Sequence, residues 1–266
     1  MSPTSSASTY VSDLELGLRL ADLADSISMA RYQALDLVIE TKPDATPVTD
    51  ADKATEQAIR ELLAQERPND LIVGEEFGTP ELSGKERYWV IDPIDGTKNF
   101  LRGVPTWATL IALVEGNGEV VVGVVSSPAL FRRWYASKGD GAYVSLNHGT
   151  AQRISVSAVK SISDSSISYS DLEGWGKRRA PFLELQQHIW RTRGLGDFWS
   201  HMLVAEGAVD LAVEPKLALW DMAALDIVVR EAGGTFTNID GVDGPHGGSA
   251  ISSNGHIHQQ FIDALK

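Results

Sequence analysis

Two carboxylates, Asp92 and Asp95, stand three residues apart in the stretch Trp89-Val90-Ile91-Asp92-Pro93-Ile94-Asp95-Gly96-Thr97-Lys98-Asn99-Phe100. The apolar run 88–91 reads as a buried strand that delivers Asp92 into a Pro-Ile-Asp-Gly turn opening a short helix. Pro93 lacks an N–H, so the strand ladder is expected to end there, and Gly96 lets the backbone pass close to a bound group. Paired acids on a rigid turn suit a hard divalent cation, and N–H groups at Gly96 and Thr97 suit an anion. Cation and phosphate would then meet at one point. Taken singly, the Asp-Pro and Asp-Gly pairs serve equally well as turn formers.

Further acids fall at the ends of other elements. Glu75 and Glu76 follow the short apolar run 71–73 and Gly74, where an exposed loop would explain them as well. Asp52 lies at the entrance of a helix, and Asp50 or Asp52 could equally be its N-cap. Asp221 follows Trp220 at the start of another helix. Such places are where metal clusters are assembled, but spacing alone does not bring Glu75, Asp92, Asp95 and Asp221 together. The six histidines show no ligand spacing and are expected at the surface or in packing roles. Cysteine is absent, which excludes disulfides, thiolate catalysis and Cys-based zinc sites.

The elements that must position these acids alternate in type. After a start expected to be frayed (residues 1–9), Ser12-x-x-Glu15 reads as a capping box, with Leu16, Leu20, Leu23, Ile27, Ala30 and Ala34 at helical spacing. Residues 42–47 break the pattern. A second helix then carries Ile59, Leu62 and Leu63 and stops near Pro68. Strands at 109–114 and 120–125 flank a hairpin at Asn117-Gly118, and short strands at 133–136, 141–144 and 153–156 extend an antiparallel meander. The pair Arg132-Arg133 reads as a solvated edge. The second half offers a strand at 166–169, a helix at 179–188, an apolar helix at 198–208 and a strand at 211–213 closed by Glu214-Pro215. A last helix runs from Trp220 to Ala232 and stops at Gly233-Gly234.

The 266 residues are 43% hydrophobic and 22% charged, enough for a large core. Twenty-three basic against 36 acidic residues give a formal charge of −13, which disfavours nucleic acid or an anionic membrane as partner. A phosphate substrate would need metal ions to offset that field. No basic region followed by an apolar one opens the chain, and no apolar run is long enough to span a bilayer. No membrane partner is expected, and the chain is compatible with the cytosol.

The string D-P-I-D-G-T-x-N-F resembles the first signature of the inositol monophosphatase family of Mg²⁺-dependent, Li⁺-sensitive phosphatases. Three further matches follow in the family's order: Thr49-x-x-Asp52, Gly74-Glu75-Glu76, and Trp220-Asp221-x-Ala223-Ala224 with Gly233-Gly234 downstream. The resemblance spans nearly the whole chain. It implies an α/β (α+β) fold, a layered α-β-α-β-α sandwich forming a single unit over 1–266. The N-terminal half (about 10–156) would hold the large sheet and most metal ligands, and the C-terminal half (about 157–266) the smaller sheet and substrate specificity.

Carried over residue by residue, the resemblance puts one Mg²⁺ on Glu75, Asp92 and the Ile94 carbonyl and a second on Asp92, Asp95 and Asp221. A third, weaker ion would hang on Glu75 through water. Glu75 and Thr97 would position the attacking water, with Asp52 supporting Thr97, while Asp95 and the Gly96 and Thr97 N–H groups meet the phosphate. The resemblance also implies a homodimer.

Substrate is where the chain departs from the inositol pattern. Where inositol-type enzymes commonly carry G-S-A-A, this chain has Gly196-Asp197-Phe198-Trp199, and Glu214-Pro215 precedes the Trp-Asp motif. Both resemble the histidinol-phosphate phosphatase branch. Asp197 and Glu214 would face the ammonium and imidazole of L-histidinol phosphate, Asp221 would also bind the substrate, and Trp199 either packs on the ring or fills core. The expectation is hydrolysis of L-histidinol phosphate to L-histidinol in cytoplasmic histidine biosynthesis. The alternatives are an inositol-1-phosphate phosphatase, a sugar bisphosphatase, or a catalytically silent metal-binding regulator.

Overall fold

Strands buried on both faces read as continuous apolar runs, and the middle of this chain shows the consequence. In the computed structural model, which describes residues 9–43 and 46–266, helix α1 (Val11–Arg31) leads into strands β1 (Ile39–Thr41) and β2 (Pro47–Thr49). Helix α2 (Asp50–Glu66), β3 (Leu71–Gly74), β4 (Tyr88–Asp95), α3 (Thr97–Leu101), β5 (Ala108–Val114) and β6 (Val120–Ser127) follow. Next come β7 (Arg132–Ser137), β8 (Gly141–Leu146), β9 (Gln152–Ile154), β10 (Ser166–Tyr169), α4 (Arg179–Leu185), β11 (Arg191–Gly194) and α5 (Asp197–Ala205). The chain closes with β12 (Leu211–Glu214), α6 (Leu219–Glu231), β13 (Thr235–Thr237), β14 (Ala250–Ser253) and α7 (His258–Ala264). Apart from Thr9, the start expected to be frayed lies outside the described residues.

Among those residues, a seven-stranded sheet runs in the order β3-β4-β5-β6-β7-β8-β9, antiparallel except for the β3–β4 pair. A five-stranded sheet runs β11-β10-β12-β14-β13, with β10 parallel to both its neighbours. Alternation along β4 and β5 splits the core by pleat. Trp89, Ile91, Ile111 and Leu113 pack with Leu16, Leu20 and Ile59 of α1 and α2. Tyr88, Val90, Leu110 and Ala112 pack with Phe198, Met202, Met222 and Val228 of α5 and α6. Beyond α5 and α6 lies the smaller sheet, whose far face holds Ile167, Val213 and Ile251 against Phe182 of α4 and Phe261 of α7. The layers therefore stack α-β-α-β-α.

Several local expectations are corrected. Helix α1 begins at Val11 with Tyr10 as N-cap and no side-chain cap, so Ser12 lies within the first turn and forms no capping box. The helix ends at Arg31, leaving Ala34 outside, and its buried face is Leu16, Leu20, Ala21 and Ala24 rather than a line reaching Ala30. The break over 42–47 runs into an antiparallel pair, β1 with β2, in which Pro47 stands opposite Thr41. Pro93 does not end the ladder. Strand β4 pairs with β5 through Asp92↔Leu110 and again through Asp95↔Ala108, with a register shift between them. Such a bulge absorbs the missing N–H and re-aims the side chains around it. Arg132 and Arg133 are not a solvated edge: Arg132 pairs with Glu206, and Arg133 reaches Asp22 and Asp25 at 2.7 Å each.

Candidate active site

The bulge in β4 is the base of the site. Asp92 Oδ1 accepts the Ile94 N–H at 3.0 Å, and Thr109 Oγ1 donates to the Pro93 carbonyl at 2.8 Å, which pins the irregular segment to β5. Gly96 then turns at φ 82°, and a Cβ there would lie 3.0 Å from the Thr106 carbonyl oxygen. Behind the turn, Phe100 and Trp107 meet edge to face at 4.9 Å and pack with Ile94 and Ala51. This anchors the start of α3.

Asp221 reaches the same place from the first turn of α6, where its Oδ2 accepts the Ala218 N–H at 2.7 Å. Ligand-capable oxygens of Asp92, Asp95 and Asp221 all lie within 4.8 Å of one another. Asp95 Oδ2 also accepts the Phe198 N–H at the start of α5, at 2.7 Å. Both central helices thus point their N-termini, where partial positive charge favours anions, toward the trio.

Electrostatics show what the trio lacks. Burial, then the charges of Glu75, Asp95, Asp221 and Asp52, holds the Asp92 carboxyl well above the usual carboxylate range. Burial, then Asp197 and Asp221, does the same to Asp95. Burial pushes Asp221 up to about 7 against the opposing Ala218 N–H. Crowded buried acids without a paired cation are costly in their charged form. An oxygen-only donor set of this kind fits a hard divalent ion, which would supply the missing positive charge.

The other expected residues fall as follows. Glu75 follows β3, with its N–H on the Ile91 carbonyl at 3.3 Å, and its carboxylate meets the Lys42 ammonium at 2.7 Å. Lys42 also contacts Glu76 at 2.7 Å, and burial pushes Glu76 up to about 7 despite that partner. Asp52 is the third residue of α2 in a capping box with Thr49, its Oδ2 accepting the Thr49 N–H at 2.8 Å and hydroxyl at 2.5 Å. Thr49 is therefore the N-cap, not Asp50 or Asp52. Asp52 Oδ1 is buried without a partner, and burial raises the carboxyl to about 6. The expected support of Thr97 by Asp52 is not made here, because the Thr97 hydroxyl donates to the Ile94 carbonyl at 3.1 Å.

A cleft of about 330 Å³ opens beside the trio, its wall including Glu75, Thr97, Lys98, Asp171 and Asp197. Asp197 adopts φ 51° and accepts from Asn99 Nδ2 at 3.1 Å. Burial, then Glu214, raises its carboxyl to about 7, against Lys98. Glu214 is buried off the cleft wall, with Oε1 3.4 Å from His201 Nε2. Trp199 packs on Trp134 at 5.8 Å under the Arg132 guanidinium, so it fills core and does not line the cleft. Two other depressions, beside Arg133 and beside Arg230, hold these guanidinium groups in ion pairs with Asp22 and Asp25 or with Asp226 and Asp243.

Sequence reasoning missed Lys42, Asn99 and Asp171. Asn99 stood inside the signature string and was the recoverable one, whereas a lone Lys or Asp in a loop carries no pattern.

A model of the inositol monophosphatase family matches residues 14–266. A histidinol-phosphatase of Mycobacterium tuberculosis is 54% identical, aligned over 95% of this chain and 97% of its own length. One of Streptomyces coelicolor is also 54% identical, over 96% and 97%. Among solved structures, an IMPase of Thermotoga maritima superposes with a TM-score of 0.84 at 30% identity, covering 96% of this chain and 97% of its own.

Proposed function

The chain belongs to the inositol monophosphatase family, and from that premise we propose that it is a Mg²⁺-dependent phosphomonoesterase hydrolysing L-histidinol phosphate to L-histidinol and phosphate. The observation that carries this reading is the Asp92, Asp95 and Asp221 trio beside a cleft whose wall holds three further acids, Glu75, Asp171 and Asp197. Acids on the wall in addition to the trio suit a substrate with a phosphate, met through cations, and a separate cationic group.

Two to three divalent ions, held by Glu75, Asp92, the Ile94 carbonyl, Asp95 and Asp221, would supply charge that polarises the phosphoryl group and lowers the pKa of water. Glu75 and Thr97 orient the water that attacks phosphorus, and Asp52, bonded to Thr49 rather than to Thr97, adds its negative charge nearby. The ester P–O bond breaks and the alcohol oxygen leaves carrying a proton. Asp95 takes part through the ions, while N–H groups of Gly96 and Thr97 hold phosphate oxygens at the start of α3. Asp197 meets the ammonium or imidazole, a charge-assisted contact worth roughly 1.5 to 3 kcal/mol. Glu214 reinforces the negative field at Asp197 from behind the wall. The two relatives named histidinol-phosphatase support the same substrate.

The decisive experiment compares kcat/KM for L-histidinol phosphate and inositol 1-phosphate in the wild type and in Asp197→Asn. We expect the wild type to prefer the cationic ester and the variant to lose most of that preference. A wild type that prefers the inositol ester sinks the assignment.

A cytoplasmic place in histidine biosynthesis goes with this substrate, and no described helix is long and apolar enough to cross a membrane. A homodimer completes the reading, with Trp190, 70% exposed beside the edge strand β11, as candidate apolar surface.

A further inference from the structure

Glu56 lies in the second turn of α2, outside the cleft, and is fully buried. A carboxylate there is tolerable only if its oxygens find donors. Its Oε2 accepts the Glu76 N–H at 2.8 Å, and its Oε1 accepts the Phe77 N–H at 3.3 Å and Arg60 Nε at 2.7 Å. Arg60 continues to the Gly78 carbonyl at 3.2 Å, with its guanidinium 5.7 Å from the Phe77 ring. One acid therefore gathers the backbone of the turn that follows β3. Gly74 makes room for it: a Cβ on that residue would lie 1.9 Å from Glu56 Oε1.

From the opposite side the Glu75 N–H bonds to the Ile91 carbonyl of β4, one residue before Asp92. The backbone at Glu75 is thus fixed between a strand bond and the turn that the buried Glu56 carboxylate holds, while its own carboxylate, paired with Lys42 at 2.7 Å, stands on the cleft wall. We infer that Glu56 is a positioning residue that sets where Glu75 presents its carboxylate, and through it the affinity of the ion that Glu75 holds. This rests on the proposed function, in which Glu75 is an ion ligand. Glu56 itself touches neither ion nor substrate.

The test is calorimetric titration of the full chain with Mn²⁺ and Mg²⁺, comparing wild type, Glu56→Gln, Gly74→Ala and the double variant. Glu75→Gln identifies which binding step depends on Glu75. Glutamine keeps the size of Glu56 but directs an amide donor at one backbone N–H, and the Gly74→Ala methyl displaces the carboxylate. Each should weaken the Glu75-dependent step by about 10- to 100-fold, the range for groups that orient a ligand. The step at Asp92, Asp95 and Asp221 should keep its affinity, and the double variant should be no worse than the weaker single one. A merely structural role would lower both steps together. Should Glu56→Gln fail to fold, Gly74→Ala decides alone. An unchanged Glu75-dependent step, or parallel loss of both, overturns the inference while the proposed function stands. Absence of any divalent-ion binding by the wild type overturns both.

Discussion

Replacing Asp221 by Asn should stabilise the metal-free protein at alkaline pH, although it removes a carboxylate charge from the heart of the candidate site. Burial raises the Asp221 carboxyl from 3.8 to about 7, a gap worth roughly 4 kcal/mol. Because the folded state binds this proton more tightly than the unfolded chain, the associated stability is fully present below pH 3.8 and is lost as pH rises through about 7. At pH 8 the folded protein carries the whole penalty. Asparagine has no charge to desolvate and keeps an oxygen for the Ala218 N–H, now accepted at 2.7 Å, at a loss of about 1 kcal/mol relative to a carboxylate. The net gain is about 3 kcal/mol, or roughly 6 °C in Tm for a chain of this size. At pH 5, two pH units below the raised value of about 7, less than half of the penalty has developed, so most of the gain disappears. Thermal unfolding in EDTA at pH 5 and pH 8 measures both values. In saturating Mg²⁺ the order should reverse, since the ion proposed at Asp92, Asp95 and Asp221, at a thousand times its Kd, adds about 4.1 kcal/mol to the wild type alone. A variant no more stable than wild type in EDTA at pH 8, or a difference independent of pH, would refute the reasoning.

Asp95→Asn retains an acceptor for the Phe198 N–H, so circular dichroism should be unchanged while phosphate release falls by about a hundredfold or more. Gly123→Ala should destabilise by about 1 to 3 kcal/mol in urea unfolding, because its Cβ would lie 2.5 Å from Ile227 Cγ2 and 2.8 Å from the Ala224 carbonyl oxygen. Light scattering at micromolar concentration should give twice the 28.8 kDa chain mass, and a monomer would overturn the proposed homodimer.

The parts of the fold legible in sequence are those where burial is one-sided or complete. β5 and β6 are buried along their whole length and read as unbroken apolar runs. β11, with Arg191, Thr192 and Arg193, is an edge strand that owes its form to pairing with β10, so its sequence shows no apolar alternation. β1 is exposed throughout and is equally silent. The tail strands β13 and β14 are short and set among glycines, and they too went unread. At the site, the types and local settings of Asp92, Asp95 and Asp221 were legible, but their convergence depends on α6 packing against the large sheet, which no spacing encodes. The same holds for Glu56, an acid indistinguishable in sequence from the exposed acids of its helix. Pro93 misled because a bulge can accommodate what a regular ladder cannot.

The backbone at Asp197 has an evolutionary consequence. At φ 51° it occupies the left-handed region, which Gly, Asn and Asp enter most readily and which β-branched or bulky residues resist. All three lie one base apart in the genetic code through Asp. The wall of the cleft can therefore exchange an acid for an amide, or for nothing, in a single mutational step and without rebuilding the loop. Selectivity for a charged substrate group is in this sense a neighbour of its own absence, while aliphatic replacements that would make the wall apolar are closed off by the backbone itself.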